Sequence, residues 1–456
     1  MRDFLDRRLA AGGDAPFLVF RGKTWTYAET GAIADALAAE LLGAGLAPGD
    51  RLAIRVPTGP RHLFLWLASA KAGIVSCPIH SDLAPPEVDA ALALLRPRAV
   101  VDPAGALRML PASTPSPESI ITILTTSGTT GRPKAAMLSG RMAVLTGEGF
   151  AHWLRLTPSD RLFTCLPLSH VNARFYSTLG AIAAGASLAL EERFSASQFW
   201  WWVRDAGATE ANAIGAMLKI LIERPEGPED REHRLRLVYA APALGRDAHL
   251  AFERRFGVRL VIGYGLTEST LGLIHPLDDS RDLDAMGAPR GHPDPDVQAE
   301  VRLVDGEIQL RNPASFTGYL DDDDATRDAW TEDGWLRTGD LGSVSPGGQY
   351  TFLGRRKLVI RRRGENLTPG EVEAVLERHP AVLEAGVLGV PSPLGEEDVL
   401  ACVVLRPGCA ATEDELAAHA AAHLAAFKVP THWRFLDALP RTPTQRVAYD
   451  RLRQRI

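Results

Sequence analysis

The chain is poor in cysteine. Its four thiols, Cys77, Cys165, Cys402 and Cys409, form no CxxC pair in 456 residues. A disulfide scaffold is therefore excluded, and all four read as ordinary buried thiols of a reducing compartment. No apolar run reaches the length of a membrane span; the best candidate, near residues 181–190, is interrupted by Gly and Ser, so no membrane partner is expected. The opening Met1-Arg2-Asp3-Phe4-Leu5-Asp6 carries acids where a secretory leader has an apolar core, which points to a cytoplasmic protein. A basic excess is missing too. Lys+Arg is 50 against 56 Asp+Glu, a net charge of −6, so the chain is not built to hold a nucleic-acid backbone. There is no internal repeat, no low-complexity tract and no GxxxxGK[ST] phosphate loop.

What is present is an ordinary globular composition, 46% hydrophobic and 23% charged, with a strong alternation of short apolar runs and helical stretches. Residues 24–56 read as strand, helix, strand. Ile33, Leu37 and Leu41 give the helix an apolar face, and Gly43, Gly45 and Pro48 end it. Strand-like runs recur at 120–124, 162–166, 187–190, 235–239 and 259–262, separated by helical stretches such as 62–72 and 198–205. Trp200-Trp201-Trp202 reads as part helix surface, part core. Over 270 residues this pattern predicts parallel sheets covered by helices. The texture changes near residue 295. Short strands flank Asp305-Gly306, a hairpin signal, and others follow at 350–353 and 357–361. Thr368-Pro369-Gly370-Glu371 starts a helix, and strands at 385–390 and 399–405 complete a small tail. The expected fold is a large N-terminal α/β domain with packed, mostly parallel sheets, residues 1–354, then a hinge at 355–357 and a small mobile α+β lid, 358–456.

The most pointed segment is Thr125-Thr126-Ser127-Gly128-Thr129-Thr130-Gly131-Arg132-Pro133-Lys134, directly after an apolar strand. Its glycines let the backbone approach an anion. Its hydroxyls add donors, and Lys134 adds positive charge, a set suited to a polyphosphate. The segment resembles the phosphate-binding signature of the adenylate-forming superfamily, which includes acyl-CoA ligases, luciferases and peptide-synthetase adenylation domains. Four further segments follow in family order. Tyr264-Gly265-Leu266-Thr267-Glu268 resembles the adenine and magnesium segment, and Thr338-Gly339-Asp340 the ribose segment. Gly354-Arg355-Arg356-Lys357 resembles the hinge, and Arg363-Gly364-Glu365-Asn366 the start of the C-terminal core motif. The likeness covers residues 20–450. Residues 166–170, 194–200 and 215–221 look most like bacterial ATP-dependent acyl-CoA ligases of the carnitine/crotonobetaine-CoA ligase type.

The resemblance implies a chemistry that these residue types suit. A carboxylate is a poor electrophile because its leaving group is an oxide; attack on the α-phosphorus of ATP gives an acyl-adenylate with AMP as a good leaving group. Two anions must meet, so the site must offset negative charge. The family pattern assigns the phosphates to Thr126, Ser127, Gly128, Thr129, Thr130, Gly131 and Lys134, with Thr130 and Lys134 aiding catalysis. Glu268 would hold Mg²⁺, a hard cation that takes carboxylate and phosphate oxygen. Ala240, Ala241, Pro242, Tyr264, Gly265 and Thr267 would surround the adenine. Asp340 and Arg355 would reach the ribose. His170, Asn212, Gly215 and Gly265 would line the acid pocket, and Lys357 would be the pivot between adenylation and transfer to CoA.

One departure stands out. The family usually ends in Pro-Arg-Thr-x-x-Gly-Lys, whose lysine joins phosphate and carboxylate. Here Pro440-Arg441-Thr442-Pro443-Thr444-Gln445-Arg446 puts Arg446 in the lysine's place, and no Lys occurs after Lys428. Arginine keeps the charge but is larger and planar, so the exchange is not neutral. The preferred expectation is ATP- and Mg²⁺-dependent activation of a small organic acid, followed by thioester formation with CoA. Two alternatives stand beside it: a diazotase that activates nitrous acid and passes it to an arylamine, and a nucleotide-binding homologue without turnover. The acid, the acceptor and the oligomeric state are not written in the sequence.

Overall fold

Apolar strands and half-apolar helices alternate through the first three hundred residues, and the fold follows from how those strands find partners. A computed structural model describes residues 1–111, 114–126, 133–241, 244–362, 365–392, 396–442 and 447–455. They form two compact units, Met1–Val301 with Leu310–Arg337, and Arg302–Gln309 with Thr338–Ile456.

In the first unit the chain opens with a helix and the hairpin β1 (Pro16–Phe20) and β2 (Lys23–Thr26). Thr26 then caps the helix Tyr27–Gly43: its hydroxyl accepts from the Glu29 N–H while the Glu29 carboxylate takes the Thr26 N–H, a reciprocal capping box. The buried seam of this helix is Tyr27, Thr30, Gly31, Ala34, Ala38 and Leu41. Ile33 and Leu37, expected on the core face, are only half-buried. A strict i, i+4 line drifts around a 3.6-residue helix, and small side chains permit the close approach to the neighbouring helix Pro60–Ala72. That neighbour is buried continuously from His62 to Ala72, as a helix covered on all sides must be.

Strands β3 (Arg51–Ile54), β4 (Val75–Pro78), β5 (Ala99–Val101), β6 (Leu107–Met109), β7 (Ile120–Thr126) and β8 (Lys134–Ser139) build one sheet. β9 (Arg161–Thr164), β10 (Ser187–Leu190), β11 (Glu210–Ile214), β12 (Leu237–Ala241), β13 (Arg259–Leu266), β14 (Ser269–Ile274) and β15 (Ala288–Pro289) extend the other. The nine-stranded sheet runs β15-β14-β13-β12-β11-β9-β10-β1-β2 and is parallel from β13 to β1, with antiparallel strands at both edges. The seven-stranded sheet is parallel only at its centre, β7-β4-β3-β5. β8, β6 and a late strand from beyond residue 315 complete it antiparallel. The α/β expectation therefore holds. Apolar clusters pack against this sheet, one around Leu52, Ile54, Leu65 and Ile74, another around Ala53, Val75, Ile123 and Ala135. The tryptophan run divides as expected: Trp200 is buried and stacked on His233 and Phe256, while Trp201 is exposed.

After β16 (Glu300–Val304) the chain turns at Asp305 (φ 49°) and Gly306 (φ 74°) into β17 (Glu307–Arg311). Both central residues have the positive φ that a two-residue hairpin demands. β18 (Gly318–Tyr319) is the late strand that joins β8. β19 (Leu336–Val344) and β20 (Tyr350–Arg355) lie beside β17 in a four-stranded sheet of order β16-β17-β19-β20. The expected strand at 357–361 is instead a 3₁₀ turn, Arg356–Leu358, followed by the short ribbon β21 (Ile360–Arg362) and β22 (Glu365–Leu367). Thr368 precedes the helix Pro369–Leu376 at the cap position, but its hydroxyl donates to the Leu353 carbonyl instead of accepting from a helix N–H. β23 (Val382–Pro391), β24 (Glu397–Leu405) and β25 (His432–Phe435) form a three-stranded sheet. Val387, Ala401 and Val403 pack against the helices on one face, and Leu388, Leu400 and Cys402 fill the other, the period-2 alternation of a strand. Three cysteines are buried; Cys409 is exposed, contrary to expectation, because it lies in the turn after β24.

Candidate active site

Parallel strands end together, so the loops leaving the carboxyl ends of β9, β11, β12 and β13 share one edge of the large sheet. The chain goes from β9 to β10 on one side, then returns to place β11 on the other side of β9. Such a switch in strand order opens a crevice at the carboxyl edge, the usual ligand position in open α/β sheets. The loop after β9 carries His170, half-buried, its N–H donating to the Pro167 carbonyl at 3.0 Å. Asn212, fully buried on β11, donates from Nδ2 to Asn172 Oδ1 at 2.6 Å, and its own Oδ1 has no partner among the described residues. Gly215 is buried at the start of the helix that follows β11. Ala240 and Ala241 end β12. Tyr264 and Gly265 lie near the end of β13. A Cβ on Gly265 would stand 3.0 Å from Tyr176 Oη and 3.2 Å from the Ser269 carbonyl, a tight fit that a larger residue would have to relieve by shifting its neighbours.

The metal segment falls in a hairpin turn. Leu266 pairs with Ser269, which leaves Thr267 and Glu268 as the two residues of the β13–β14 hairpin. The Glu268 carbonyl accepts from the Phe316 N–H at 2.8 Å, and its Oε1 accepts from the Tyr319 hydroxyl at 2.8 Å. The second partner of Tyr319 comes from the phosphate segment. Thr126 ends β7 and pairs with Lys134, the first residue of β8. Tyr319 pairs with Ala136, two residues on and therefore on the same face as Lys134. The Lys134 ammonium sits 4.6 Å from the Tyr319 ring centroid, a cation–π contact. One tyrosine thus joins the cation of the phosphate segment to the carboxylate of the metal segment. Burial, then the neighbouring Glu268 charge, raises its hydroxyl pKa above the ordinary value, so it stays a donor at neutral pH.

In the second unit Asp340 is buried at the β19–β20 pairing, opposite Arg355, whose Nε lies 2.6 Å from Oδ1. Three contacts fix the backbone here. Thr338 Oγ1 donates to the Ile308 carbonyl at 2.6 Å and accepts from the Asp340 N–H at 3.0 Å, while Gly339, at φ 69°, donates to Glu307 Oε1 at 2.9 Å. Lys357 is exposed in the 3₁₀ turn after β20.

The structure thus brings Thr126, Lys134 and Glu268 into one cluster, and it places His170 in the loop after β9 and Asn212 on the adjoining strand β11. Ser127, Gly128, Thr129, Thr130, Gly131, Pro242 and Arg446 lie outside the described residues, as do Arg363 and Gly364. Sequence reasoning missed Tyr319, Asn172 and Arg174. Tyr319 carried no local signal, because only the pairing of β18 with β8 gives it its neighbours.

A metal fits this site in one way. Among the described residues no three His, Cys, Asp or Glu side chains gather to hold an ion alone. Glu268 offers a single carboxylate, which suits a hard divalent cation that takes its other oxygens from a polyphosphate.

A switch in strand order within a large α/β unit, a hairpin carboxylate joined through a tyrosine to the lysine that follows the threonine segment, and a second, smaller α+β unit are the features of an adenylate-forming architecture. The sequence pattern of the AMP-binding enzyme family matches residues 5–320, that of the AMP-binding enzyme C-terminal domain matches residues 371–446, and the chain belongs to this family. Sulfoacetate–CoA ligase of Cupriavidus necator is 33% identical, across 96% of this chain and 94% of its own. Crotonobetaine/carnitine–CoA ligase of Citrobacter koseri is 28% identical, across 97% and 96%. The crystal structure of ATP-bound MatB from Rhodopseudomonas palustris superimposes with a TM-score of 0.89 at 27% identity, covering 100% of this chain and 99% of that one.

Proposed function

We propose that the protein is an acid–CoA ligase that activates a small, polar organic acid with ATP as an acyl-adenylate and passes the acyl group to CoA. The acid's carboxylate attacks the α-phosphorus and pyrophosphate leaves. The CoA thiolate then attacks the acyl carbon and AMP leaves. The observation that carries this reading is the Lys134–Tyr319–Glu268 cluster, which puts a cation and a hydrogen-bonded carboxylate beside the end of the threonine segment. In our reading Thr126, Ser127, Gly128, Thr129, Thr130 and Gly131 cradle the phosphates with Lys134. Glu268 holds Mg²⁺, which when bound would offset phosphate charge. Ala240, Ala241, Pro242, Tyr264 and Thr267 surround the adenine, and Asp340 and Arg355 take the ribose. His170, Asn212, Gly215 and Gly265 face the acid, Arg446 bridges phosphate and carboxylate, and Lys357 is the hinge between domains 1–354 and 358–456. Hydrogen-bonding groups at the acid site, Asn172, Asn212 and His170, suit a polar acid, in keeping with relatives named for sulfoacetate and for crotonobetaine or carnitine.

No helix among the described residues is long and apolar enough to cross a membrane, and we place the enzyme in the cytoplasm. The relatives named above are CoA ligases, and nothing in them favours the diazotase alternative. The test is pyrophosphate release from ATP with a panel of short polar acids, with and without CoA, and with nitrite plus an arylamine. Acid-dependent release with CoA-dependent AMP formation is expected. Nitrite-dependent AMP formation without CoA would overturn the ligase reading. ATP-induced thermal stabilisation without turnover would leave a binding protein only.

A further inference from the structure

Arg174 is fully buried, and no carboxylate among the described residues forms an ion pair with it. A buried ion is costly unless every donor is satisfied. Here neutral acceptors do that work. Nε–H donates to the Leu168 carbonyl at 2.5 Å, and Nη1 donates to Ser76 Oγ at 2.9 Å and Thr122 Oγ1 at 3.0 Å. Nη2 lies 3.3 Å from His62 Nε2. That imidazole gives its Nδ1–H to the Val56 carbonyl at 2.8 Å, which leaves Nε2 as an acceptor. The guanidinium plane also lies against Trp66, 4.7 Å from the ring centroid.

These contacts join parts of the chain that the proposed chemistry must hold in register. Ser76 is on β4. Thr122 is on β7, the strand that ends at Thr126 and leads into the threonine segment. Leu168 is two residues before His170, and its N–H is also fixed, donating to Thr58 Oγ1 at 3.0 Å. Arg174 itself belongs to the π-helical turn Asn172–Leu179, which begins with the partner of Asn212. Windings of this kind are rare and occur often at functional sites.

We propose that Arg174 is a positioning residue that ties the acid-site loop carrying His170 to the strand presenting the phosphate-binding threonines, so that acid and nucleotide meet one rigid block. This rests on the ligase reading above. An apolar side chain of similar length would fill the space but leave the Leu168 carbonyl, Ser76 and Thr122 without the one donor group that joins them. Burial pushes the Arg174 pKa down to about 9, which marks the charge as held at a cost.

The test compares wild type with Arg174→Lys, Arg174→Met and Thr122→Val. The last keeps a β-branched shape and removes one acceptor, so it serves where the arginine variants fail to fold. Two readouts are taken: hydrogen exchange of the peptide covering residues 166–172 in the ligand-free enzyme, and steady-state kinetics with the most active acid of the panel. We expect faster exchange in that peptide. We also expect kcat/KM for the acid to fall by about 100-fold in both arginine variants, since a misplacement near 1 Å has that effect, with little change in KM for ATP. Lysine keeps the charge without the planar fork, so wild-type behaviour of Arg174→Lys would overturn the positioning role. Unchanged exchange would overturn it as well, as would equal losses for acid and ATP that follow the fall in Tm. If wild type releases no pyrophosphate with any acid, the ligase reading fails, and the exchange experiment still decides whether Arg174 holds the loop.

Discussion

Replacing Tyr319 by phenylalanine isolates a single atom of the candidate site. The ring stays, and with it the Lys134 contact and the edge-on packing against Phe316. Only the hydroxyl that donates to Glu268 Oε1 is lost. A hydrogen bond to a charged acceptor contributes about 1.5–3 kcal/mol. If that bond orients Glu268 toward the metal, its loss lowers kcat/KM for ATP by roughly 10- to 100-fold, at 1.4 kcal/mol per decade. The Mg²⁺ concentration for half-maximal rate should rise with it. Global stability should fall by no more than about 1 kcal/mol, because Glu268 is half-buried and water can replace the phenol. The assays are pyrophosphate release titrated with Mg²⁺ and chemical unfolding of the same preparations. Tyr319→Leu is the companion variant: it also removes the cation–π contact and should lose a further 0.5–2 kcal/mol or so of catalytic effect. Wild-type kcat/KM and Mg²⁺ dependence in Tyr319→Phe would refute the claim that this hydroxyl sets the carboxylate.

Asp340→Asn keeps the shape and removes the charge that faces Arg355. The loss should be about 1–3 kcal/mol of stability, below that of a fully buried pair because Arg355 is 30% exposed, together with a raised KM for ATP; an unchanged KM would remove Asp340 from the ribose site. Glu210 is fully buried with neither carboxylate oxygen partnered among the described residues, and burial raises its pKa well above the usual value. Its folded state prefers the proton, so its favourable share of stability is complete below pH 4.5 and declines as pH rises; Glu210→Gln should raise Tm at pH 8 and change it little at pH 4. Burial, with Arg174 adding to it, lowers the His62 pKa to about 3, and burial lowers that of His275 to about 4. Below about pH 6.5 the unfolded chain takes protons that these rings refuse, so stability is present above that value and is lost toward pH 4 and 3, by up to about 1.4 kcal/mol per pH unit for each. With Glu210→Gln as the background, so that the opposing carboxyl slope is removed, flat unfolding free energies between pH 6 and 4 would contradict their buried, neutral state.

The chain by itself determined whatever depends on neighbours in sequence. The Thr26–Glu29 capping box, the Asp305-Gly306 turn, the β7 strand before the threonine segment and the helix after Thr368 are local choices, and each is where the residues put it. The adenylate-forming resemblance was legible for the same reason, since its motifs are short and contiguous. The helix face at Ile33 and Leu37 was misjudged because which side of a helix is buried depends on the partner helix. What only the tertiary structure decided lies farther apart along the chain. The pairing of β18 with β8 carries Tyr319 across 185 residues to Lys134, and the β13–β14 hairpin turns Glu268 toward its hydroxyl. Arg174 finds Ser76 and Thr122 only because the fold brings the turn Asn172–Leu179 against β4 and β7. Contacts of that range are set by strand order and by satisfying buried donors, and no spacing rule in the sequence encodes either.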